Sequence, residues 1–328
     1  SNPVISQEEK DDFRLQANSY WAEFFKKIQN EPFVIFVGSL DQSKWESFNN
    51  PSRDKVFIQA PYLHEREDLE NWLCTTFDVS SIEEWKHKLS MLESSSFHIA
   101  EIERTLLRKV GGYDALEYLL QLPDLAKKHQ FIYSVGPYCW GFLQSQMKPI
   151  FMGKMPCVIK DDGFAAADMT KFIQGECDRL LWSLSFFQLS KKSSSKETLK
   201  RVQEAYWRIL WESSGGDLDV AQKLFLSSIY HCEDGDKIEV LLFNKPKEEL
   251  LSLLSDKDKF LLTALLIHSV LSIEQISDLL YMSKQEVLKV CSDLRLKDIL
   301  HRQNNEYFIP LKYRRTIAVY LKEQRLLC

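Results

Sequence analysis

The first half of the chain alternates between short runs of β-forming residues and longer stretches with helical periodicity. In residues 1–30 the apolar side chains recur at about every 3.6 positions, which predicts a helix, and Phe33–Val37 predicts a buried strand. Amphipathic stretches separate four further β runs, which begin at Lys55, Phe97, Phe131 and Met155. Such alternation predicts an α/β fold with a mostly parallel sheet and helices on both sides.

The pattern changes near Ala165, after which we expect helices and a single short β run, KIEVLLF. Helices are predicted for 168–190 and 196–231. The second of these stretches contains GGDL, in which Asp217 follows two glycines and is a typical N-cap residue. We interpret this segment as a helical lid domain.

Serines at predicted helix starts divide the C-terminal part into three helices, which begin after Ser255 (or Asp256), Ser272 and Ser283. Two short strands around Asn304-Asn305 and a final helix follow. Three helices and a two-stranded wing are typical of the winged-helix form of the helix-turn-helix. The sequence thus predicts a nucleotide-binding-like domain, a helical lid and a winged helix, at 1–165, 166–245 and 246–328.

Composition narrows the class of protein. The 328 residues are enough for two or three domains, and 45% hydrophobic with 27% charged residues is ordinary for a soluble globular protein. A formal net charge of -5 gives no general attraction to nucleic acid or anionic lipid. The polar start SNPVISQEEKDDF is not typical of a signal peptide. The seven scattered cysteines contain no C-x-x-C, which predicts free thiols and a cytoplasmic location.

The stretch FVIFVGSLDQSKWESF resembles an altered phosphate-binding loop. The pattern G-x-x-x-x-G-K-[ST] would place its first glycine at Gly38 and its lysine at Lys44. Ser43 replaces the second glycine, and Trp45 replaces the hydroxyl residue that would hold Mg²⁺. Because a breaker at Asn49–Ser52 follows, any helix after this loop is about two turns or less.

An α/β segment that opens on such a loop, followed by a helical lid and a winged helix, resembles the AAA+ and STAND-type ATPases over roughly residues 20–328. Two stretches carry the resemblance. FHIAEIERTLLRKVGGYDAL, at 97–116, corresponds to the strand and helix of the Walker B site in that family. SGGDLDVAQKL, which begins at Ser214, corresponds to the start of the lid helix. The resemblance implies an ancestral ATP site.

Compared residue by residue with this family, the chain has lost its catalytic groups. Lys44 matches the phosphate-binding lysine, but Ala100 stands where the Mg²⁺-binding aspartate is expected and leaves Glu101 as the acid. Gly136 and Pro137 replace the polar sensor, and FIQGEC lacks the lid arginine. ATP hydrolysis requires a positioned metal and stabilisation of the phosphoryl group. We therefore expect a pseudo-ATPase, not an enzyme, with no cofactor or metal and at most weak ATP or ADP binding.

Each of these residues also has a purely structural interpretation. Lys44 fits a solvated lysine at a helix start, and Glu101 fits a polar strand end that pairs with Arg104 or Arg108. Cys139 fits a buried thiol, since no histidine is placed by the sequence as the base that a nucleophile needs.

A winged helix binds either DNA or protein, and the charge pattern here favours protein. Residues 246–328 contain 13 Lys and Arg against 11 Asp and Glu, which is a weak basic excess for a DNA reader. The third helix is predicted to expose Lys284, Gln285 and Lys289, and Arg314-Arg315 form the strongest local basic patch.

Trp207 and Trp211 lie one helical turn apart, at positions that fit a hydrophobic core. Because their helix is otherwise charged, they form instead a second candidate surface for a partner. We expect protein partners first and nucleic acid second, with no membrane insertion. The resulting hypothesis is a scaffold or adaptor built on an inactive AAA+-like frame. The alternative is a DNA-binding winged-helix regulator with a vestigial nucleotide-sensing domain.

Overall fold

The computed structural model describes residues 18–39, 42–46, 48, 53–109, 111–146, 156–190, 195–231, 237–243 and 248–327. The described chain divides into two compact units, each treated separately below. The sheet unit contains Asn18–Asp161, Leu253–Ile309 and Tyr320–Cys328. The middle unit contains Asp162–Ser252 and Pro310–Val319.

A five-stranded parallel sheet forms the centre of the sheet unit. Its strands are β1 (Phe33–Val37), β2 (Asp54–Gln59), β3 (Ser95–Ala100), β4 (Gln130–Val135) and β5 (Cys157–Lys160). Their order across the sheet is β2-β3-β4-β1-β5, and all neighbouring pairs run parallel. Every residue of β1, β3 and β4 is buried, whereas the edge strands β2 and β5 are partly exposed. This burial explains why the inner strands are continuous rather than alternating apolar runs.

Helices connect these strands, as parallel pairing requires. They are α1 (Asn18–Lys26), α2 (Gln42–Glu46), α3 (Arg66–Thr76), α4 (Ile82–Met91), α5 (Asp114–Leu125) and α6 (Pro137–Gln146), with a 3₁₀ turn at Ile102–Thr105. Ser81 caps the start of α4, because its side chain accepts a hydrogen bond from the Glu84 amide. The segment 66–91 therefore contains two separate helices, α3 and α4.

The middle unit is helical but also contains a small sheet. Its helices are α7 (Ala166–Arg179), α8 (Lys196–Ser214), α9 (Leu218–Leu226) and α10 (Glu248–Ser252). Asp217 caps α9 as predicted, by accepting a hydrogen bond from the Val220 amide at 3.0 Å. The strands β6 (Ser183–Ser185), β7 (Ile229–His231) and β8 (Lys237–Val240) pair in the order β6-β8-β7. The expectation of a single β run between residues 166 and 245 was wrong, because β6 and β7 are three-residue strands without a clear β pattern.

The C-terminal block, residues 253–309 of the sheet unit, contains three helices and a three-stranded antiparallel sheet. In chain order they are α11 (Asp256–His268), β9 (Val270–Ser272), α12 (Ile273–Leu280), α13 (Lys284–Leu296), β10 (His301–Gln303) and β11 (Glu306–Phe308). All three predicted serine caps form reciprocal capping boxes. A last helix, α14 (Leu311–Glu323), closes the described chain.

Within the sheet unit, α11 contacts both α6 and the 3₁₀ turn. The C-terminal block thus packs against the end of the parallel sheet where β3 and β4 terminate. The predicted α/β class with a parallel sheet is confirmed, whereas the three domain boundaries stay predictions. The boundary at 245/246 lies outside the described residues. In the part of the chain that the structure describes, no helix is both long and apolar enough to cross a membrane.

Candidate functional site

The carboxyl ends of parallel strands are where ligands bind in open α/β sheets, and Gly38 follows β1 at this edge. Its amide donates to the Val135 carbonyl at 2.9 Å and so extends the pairing of β1 with β4. A Cβ at this position would lie 2.8 Å from Cβ of Asp161 and 2.9 Å from the Phe36 ring, at a φ of +156°. Close packing at the strand end is therefore enough to explain why this residue is glycine, and a bound phosphate is not needed to explain it.

The helix after this loop is short, as predicted, and its lysine folds back. Helix α2 has only five residues, too few for the aligned amides that bind anions at longer helices. The amine of Lys44 donates to the Ser39 carbonyl at 2.9 Å and lies 5.3 Å from the centre of the Trp21 ring. Lys44 thus interacts with its own loop and an adjacent helix. The side chain of Ser43 lies outside the described part of the structure.

Trp45 belongs to the hydrophobic core. It is 3% exposed, stacks on Phe48 at 4.6 Å and meets the Phe25 ring edge-on at 5.9 Å. Its ring also lies 5.2 Å from that of His98 on β3. The position at which a phosphate-binding loop carries a metal-binding hydroxyl is therefore filled by an aromatic ring that ties α2 to α1 and the sheet.

At the end of β3, Ala100 is buried and Glu101 adopts a left-handed conformation with φ of +57°. The Glu101 carboxylate pairs with Arg104 and accepts a hydrogen bond from Nε2 of Gln59 at 3.0 Å. Left-handed backbone is uncommon for residues with a Cβ and occurs often at functional positions. Here it turns the chain from the strand into the 3₁₀ turn, and the ion pair is the one that the structural interpretation of Glu101 expects.

The most unusual acid at this edge is Glu103, which the sequence analysis did not single out. It is 4% exposed, and its carboxylate accepts hydrogen bonds from the Gly136 amide at 3.3 Å and from the Ser269 hydroxyl at 3.2 Å. Burial, with a smaller contribution from the charge of Glu101, raises the pKa of Glu103 from 4.5 to about 7. A Cβ on residue 136 would lie 3.1 Å from its Oε1, which explains the glycine at the expected sensor position.

Glu103 lies in a set of polar contacts between the C-terminal block and the strand ends. His64 Nε2 lies 3.1 Å from the Gln275 side-chain amide, and Lys109 pairs with Asp278 at 3.2 Å. Burial lowers the pKa of His268 to about 3, helped by the positive charge of Arg108 and by His64. His268 is therefore neutral at physiological pH. This edge of the sheet is occupied by the protein's own C-terminal block.

The predicted partner-binding residues of α13 are on the surface. Lys284, Gln285 and Lys289 are exposed, and Lys284 pairs with Glu274 of α12 at 3.1 Å. Glu286 on the same helix pairs with Lys257 at 2.9 Å. The surface of this helix is thus mixed in charge rather than uniformly basic.

The remaining predicted residues lie in the middle unit. Trp207 is 7% exposed, with the Phe186 and Phe225 rings about 6 Å away, so this ring belongs to a core rather than to a surface. Trp211 is half-buried and donates from its indole N–H to the Phe164 carbonyl at 2.8 Å. The predicted aromatic docking face is therefore structural.

The two arginines after the wing differ in exposure. Arg314 is partly buried, whereas Arg315 is exposed and its guanidinium lies against Gly215, the C-cap of α8. A cation at a helix C-terminus is favoured by the helix dipole. This position gives Arg315 a structural role within the middle unit.

The cysteines of the described residues were compared with what a nucleophile or a metal site needs. Cys139 is buried, and burial together with the nearby Glu103 raises its pKa well above that of a free thiol, which opposes nucleophilic use. The structure records Cys74, Cys139, Cys157, Cys177 and Cys291 as free thiols. Among the described residues no group of histidine, cysteine and acidic side chains could hold a metal ion.

Comparison with known proteins finds similarity only among solved structures. No protein-family model matches the chain, and no curated protein sequence matches it significantly. The Orc1 protein of Aeropyrum pernix in complex with DNA is similar at 9% identity and a TM-score of 0.39, over 98% of this chain and 95% of that one. Cdc6p from Pyrobaculum aerophilum gives 14% and 0.39, over 98% and 99%. A Walker-type ATPase of Pyrococcus abyssi gives 11% and 0.37, over 98% of each chain. These scores are too low to place the chain in a family or to assign its function.

Proposed function

We propose that this protein is a catalytically inactive AAA+-like protein that acts as a scaffold or adaptor in a protein assembly. The observation that carries the proposal is the state of the phosphate-binding loop. Lys44 is turned onto the Ser39 carbonyl, and Trp45 is part of the core. In this arrangement both Lys44 and Trp45 make contacts within the protein, where an active loop would direct these two positions toward the phosphates and the metal.

The chemistry of phosphoryl transfer supports inactivity. Catalysis depends on a metal and on charges placed around the transferring phosphoryl group. At the strand ends Glu101 is neutralised by Arg104, and Glu103 is buried under Ser269 with a pKa near neutrality. Glu101 is already paired with a cation, and Glu103 is buried and partly protonated near neutral pH. Neither carboxylate is therefore suited to hold Mg²⁺. Lys44 then retains at most weak affinity for ATP or ADP.

We assign the C-terminal block to the winged-helix class because its elements follow the order helix, strand, helix, helix, strand, strand, with β9, β10 and β11 in one antiparallel sheet. The mixed charge of its third helix supports a protein partner over DNA, since neutralising phosphates requires unpaired cations. We propose the exposed face of α13 and the adjoining wing, around Lys284, Gln285 and Lys289, as a partner surface. The free thiols support a reducing location, for which we propose the cytoplasm.

Nucleotide titration tests the first part of this proposal. Calorimetry with ATP and ADP should give weak or no binding, and Mg²⁺ should change it little because metal ligands are not in place. The matched control is Lys44→Ala, which removes the remaining cation of the loop. Tight binding that requires both Mg²⁺ and Lys44 would refute an inactive loop.

Affinity purification from the native cell tests the second part. We expect a stoichiometric protein partner whose recovery falls when Lys284 and Lys289 are both changed to Glu. A double change to Glu at Lys200 and Lys223, exposed lysines of the middle unit, provides the control. A monomer without a stable partner, unaffected by the charge reversals, would remove support for the scaffold function.

A further inference from the structure

A cavity of about 220 Å³ lies at the end of the sheet opposite to Glu103. Its walls come from α4 and from the segment that joins α5 to the amino end of β4. Trp85, Leu89 and Leu125 supply apolar surface, and Lys86, Lys127 and Lys128 supply charge. No acidic residue lines this cavity. An apolar hollow with a purely cationic rim is thus placed away from the degenerate nucleotide loop.

Two of the three lysines of this cavity have no partner among the described residues. The amine of Lys128 donates to the Ser90 carbonyl, but within the described residues neither Lys86 nor Lys127 has an ion-pair or hydrogen-bond partner. His129 behaves differently, because its Nε2 lies 2.8 Å from the Leu89 carbonyl and its Nδ1 accepts from the Ser95 amide at 3.1 Å. Burial lowers its pKa, so His129 forms a neutral wall and the lysines carry the charge.

Apolar side chains continue from the cavity onto the surface. Leu125, which lines it, is 53% exposed, and Met91, next in the chain to the lining residue Ser90, is 73% exposed. Leu92 is 38% exposed. Consecutive exposed apolar residues beside a hollow are typical of a surface that another molecule covers.

The buried indole of Trp85 also has an unmet requirement. The residue is 3% exposed, and its N–H has no acceptor in the described structure. Leaving a buried donor unpaired costs about 1–3 kcal/mol. Because this N–H is itself shielded from solvent, Trp85 contributes apolar ring surface to the cavity wall and no hydrogen bond to an occupant.

The volume of the cavity and the charge of its lining residues together indicate what kind of molecule it binds. Pockets for whole small molecules measure about 300–1,000 Å³, whereas this cavity is smaller and suits one large side chain. We propose that the cavity of Trp85, Leu89 and Leu125 binds an acidic peptide segment of a partner protein. One apolar side chain of the segment fills the hollow, and its flanking Asp or Glu residues pair with Lys86 and Lys127.

This inference deepens the proposed scaffold function and rests on it, because it names a class of partner and a second surface. The peptide-binding site and the proposed scaffold function can be refuted independently of each other. Loss of the peptide site would leave the inactive loop and the α13 surface untouched, and ATP hydrolysis would leave peptide binding measurable.

Selection from a phage-displayed library of short random peptides against the full chain tests the proposal. Enriched peptides should carry an aromatic residue or leucine flanked by acidic residues. In fluorescence polarisation a synthetic peptide of this type should lose at least about tenfold in affinity for Lys86→Glu/Lys127→Glu, because like charges then meet across the rim. The same peptide with its acids changed to lysine should bind that variant better than the wild type. Affinity should also fall as salt rises.

Two further variants block the cavity and control for the change in charge. Ala126→Trp fills the cavity from its own wall and should abolish binding, while Lys200→Glu/Lys223→Glu should bind as the wild type does. Far-ultraviolet circular dichroism confirms that each variant is folded. Selected peptides without acidic residues, or binding that survives the charge swap, would overturn the proposal. Laurate binding blocked by Ala126→Trp, in the absence of acidic peptides, would replace the peptide with a small anionic amphiphile.

Discussion

Replacing Glu103 with glutamine should change the pH dependence of stability. The pKa of this carboxyl is raised from 4.5 to about 7 in the folded protein, chiefly by burial. Between these two values the folded state binds more protons than the unfolded state, so the contribution of Glu103 to stability is greatest at low pH and is lost as the pH rises to 7. A shift of this size corresponds to about 3 kcal/mol, because each pKa unit is worth about 1.4 kcal/mol.

Glutamine has nearly the same shape and cannot ionise; its oxygen can accept from the Gly136 amide while its NH2 group donates to the Ser269 hydroxyl oxygen. At about pH 5 the wild type and Glu103→Gln should therefore have similar free energies of unfolding, whereas at about pH 8 the variant should be more stable by up to about 3 kcal/mol. Urea unfolding followed by circular dichroism at both pH values measures this difference. Glu67→Gln, on the exposed first turn of α3, is the control and should show no such pH effect. A difference between wild type and Glu103→Gln that is equal at both pH values would refute the reasoning.

Two substitutions test the packing around the loop after β1, and a third tests a helix cap of the C-terminal block. Trp45→Ala should lower the free energy of unfolding by about 3–5 kcal/mol, because the ring is buried against Phe25 and Phe48; thermal unfolding measures it, and a loss below about 1 kcal/mol would mean that the ring is not core. Gly38→Ala should cost about 1–3 kcal/mol in urea unfolding, since its Cβ would meet that of Asp161, and an unchanged midpoint would contradict this close approach. Ser283→Ala should cost about 1 kcal/mol through loss of the α13 capping box, with Ser292→Ala on the exposed middle of that helix as a neutral control.

Local signals in the sequence were sufficient for much of the fold. The serine caps at 255, 272 and 283 and the aspartate cap at 217 each follow from side-chain hydrogen bonds within one turn, so they could be found without tertiary information. The inner strands were equally clear, because burial on both faces requires continuous apolar runs. By contrast, β6 and β7 have three residues each and depend on pairing with β8. Such pairing cannot be predicted from the local sequence pattern.

The candidate site was predicted less completely, for a physical reason. The degenerate loop at Gly38 and Lys44 was visible as a pattern, but the role of Glu103 depends on Ser269, which is distant in the chain. Within IERTLL its direct neighbours are one apolar residue, Ile102, and one charged residue, Arg104, so the local sequence does not show that this acid is drawn into the core. For Trp207 the charged helix left both a core position and a partner-facing surface open, and the structure covers the ring with Phe186 and Phe225 from other elements.

Phosphate release from ATP, compared between the wild type and Lys44→Ala, tests the central claim most directly. Both proteins, purified identically and assayed with Mg²⁺, should release phosphate at the same background rate, because Trp45 fills the position of the metal-binding hydroxyl and Glu101 pairs with Arg104. Release by the wild type that exceeds the Lys44→Ala rate and requires Mg²⁺ would contradict the account.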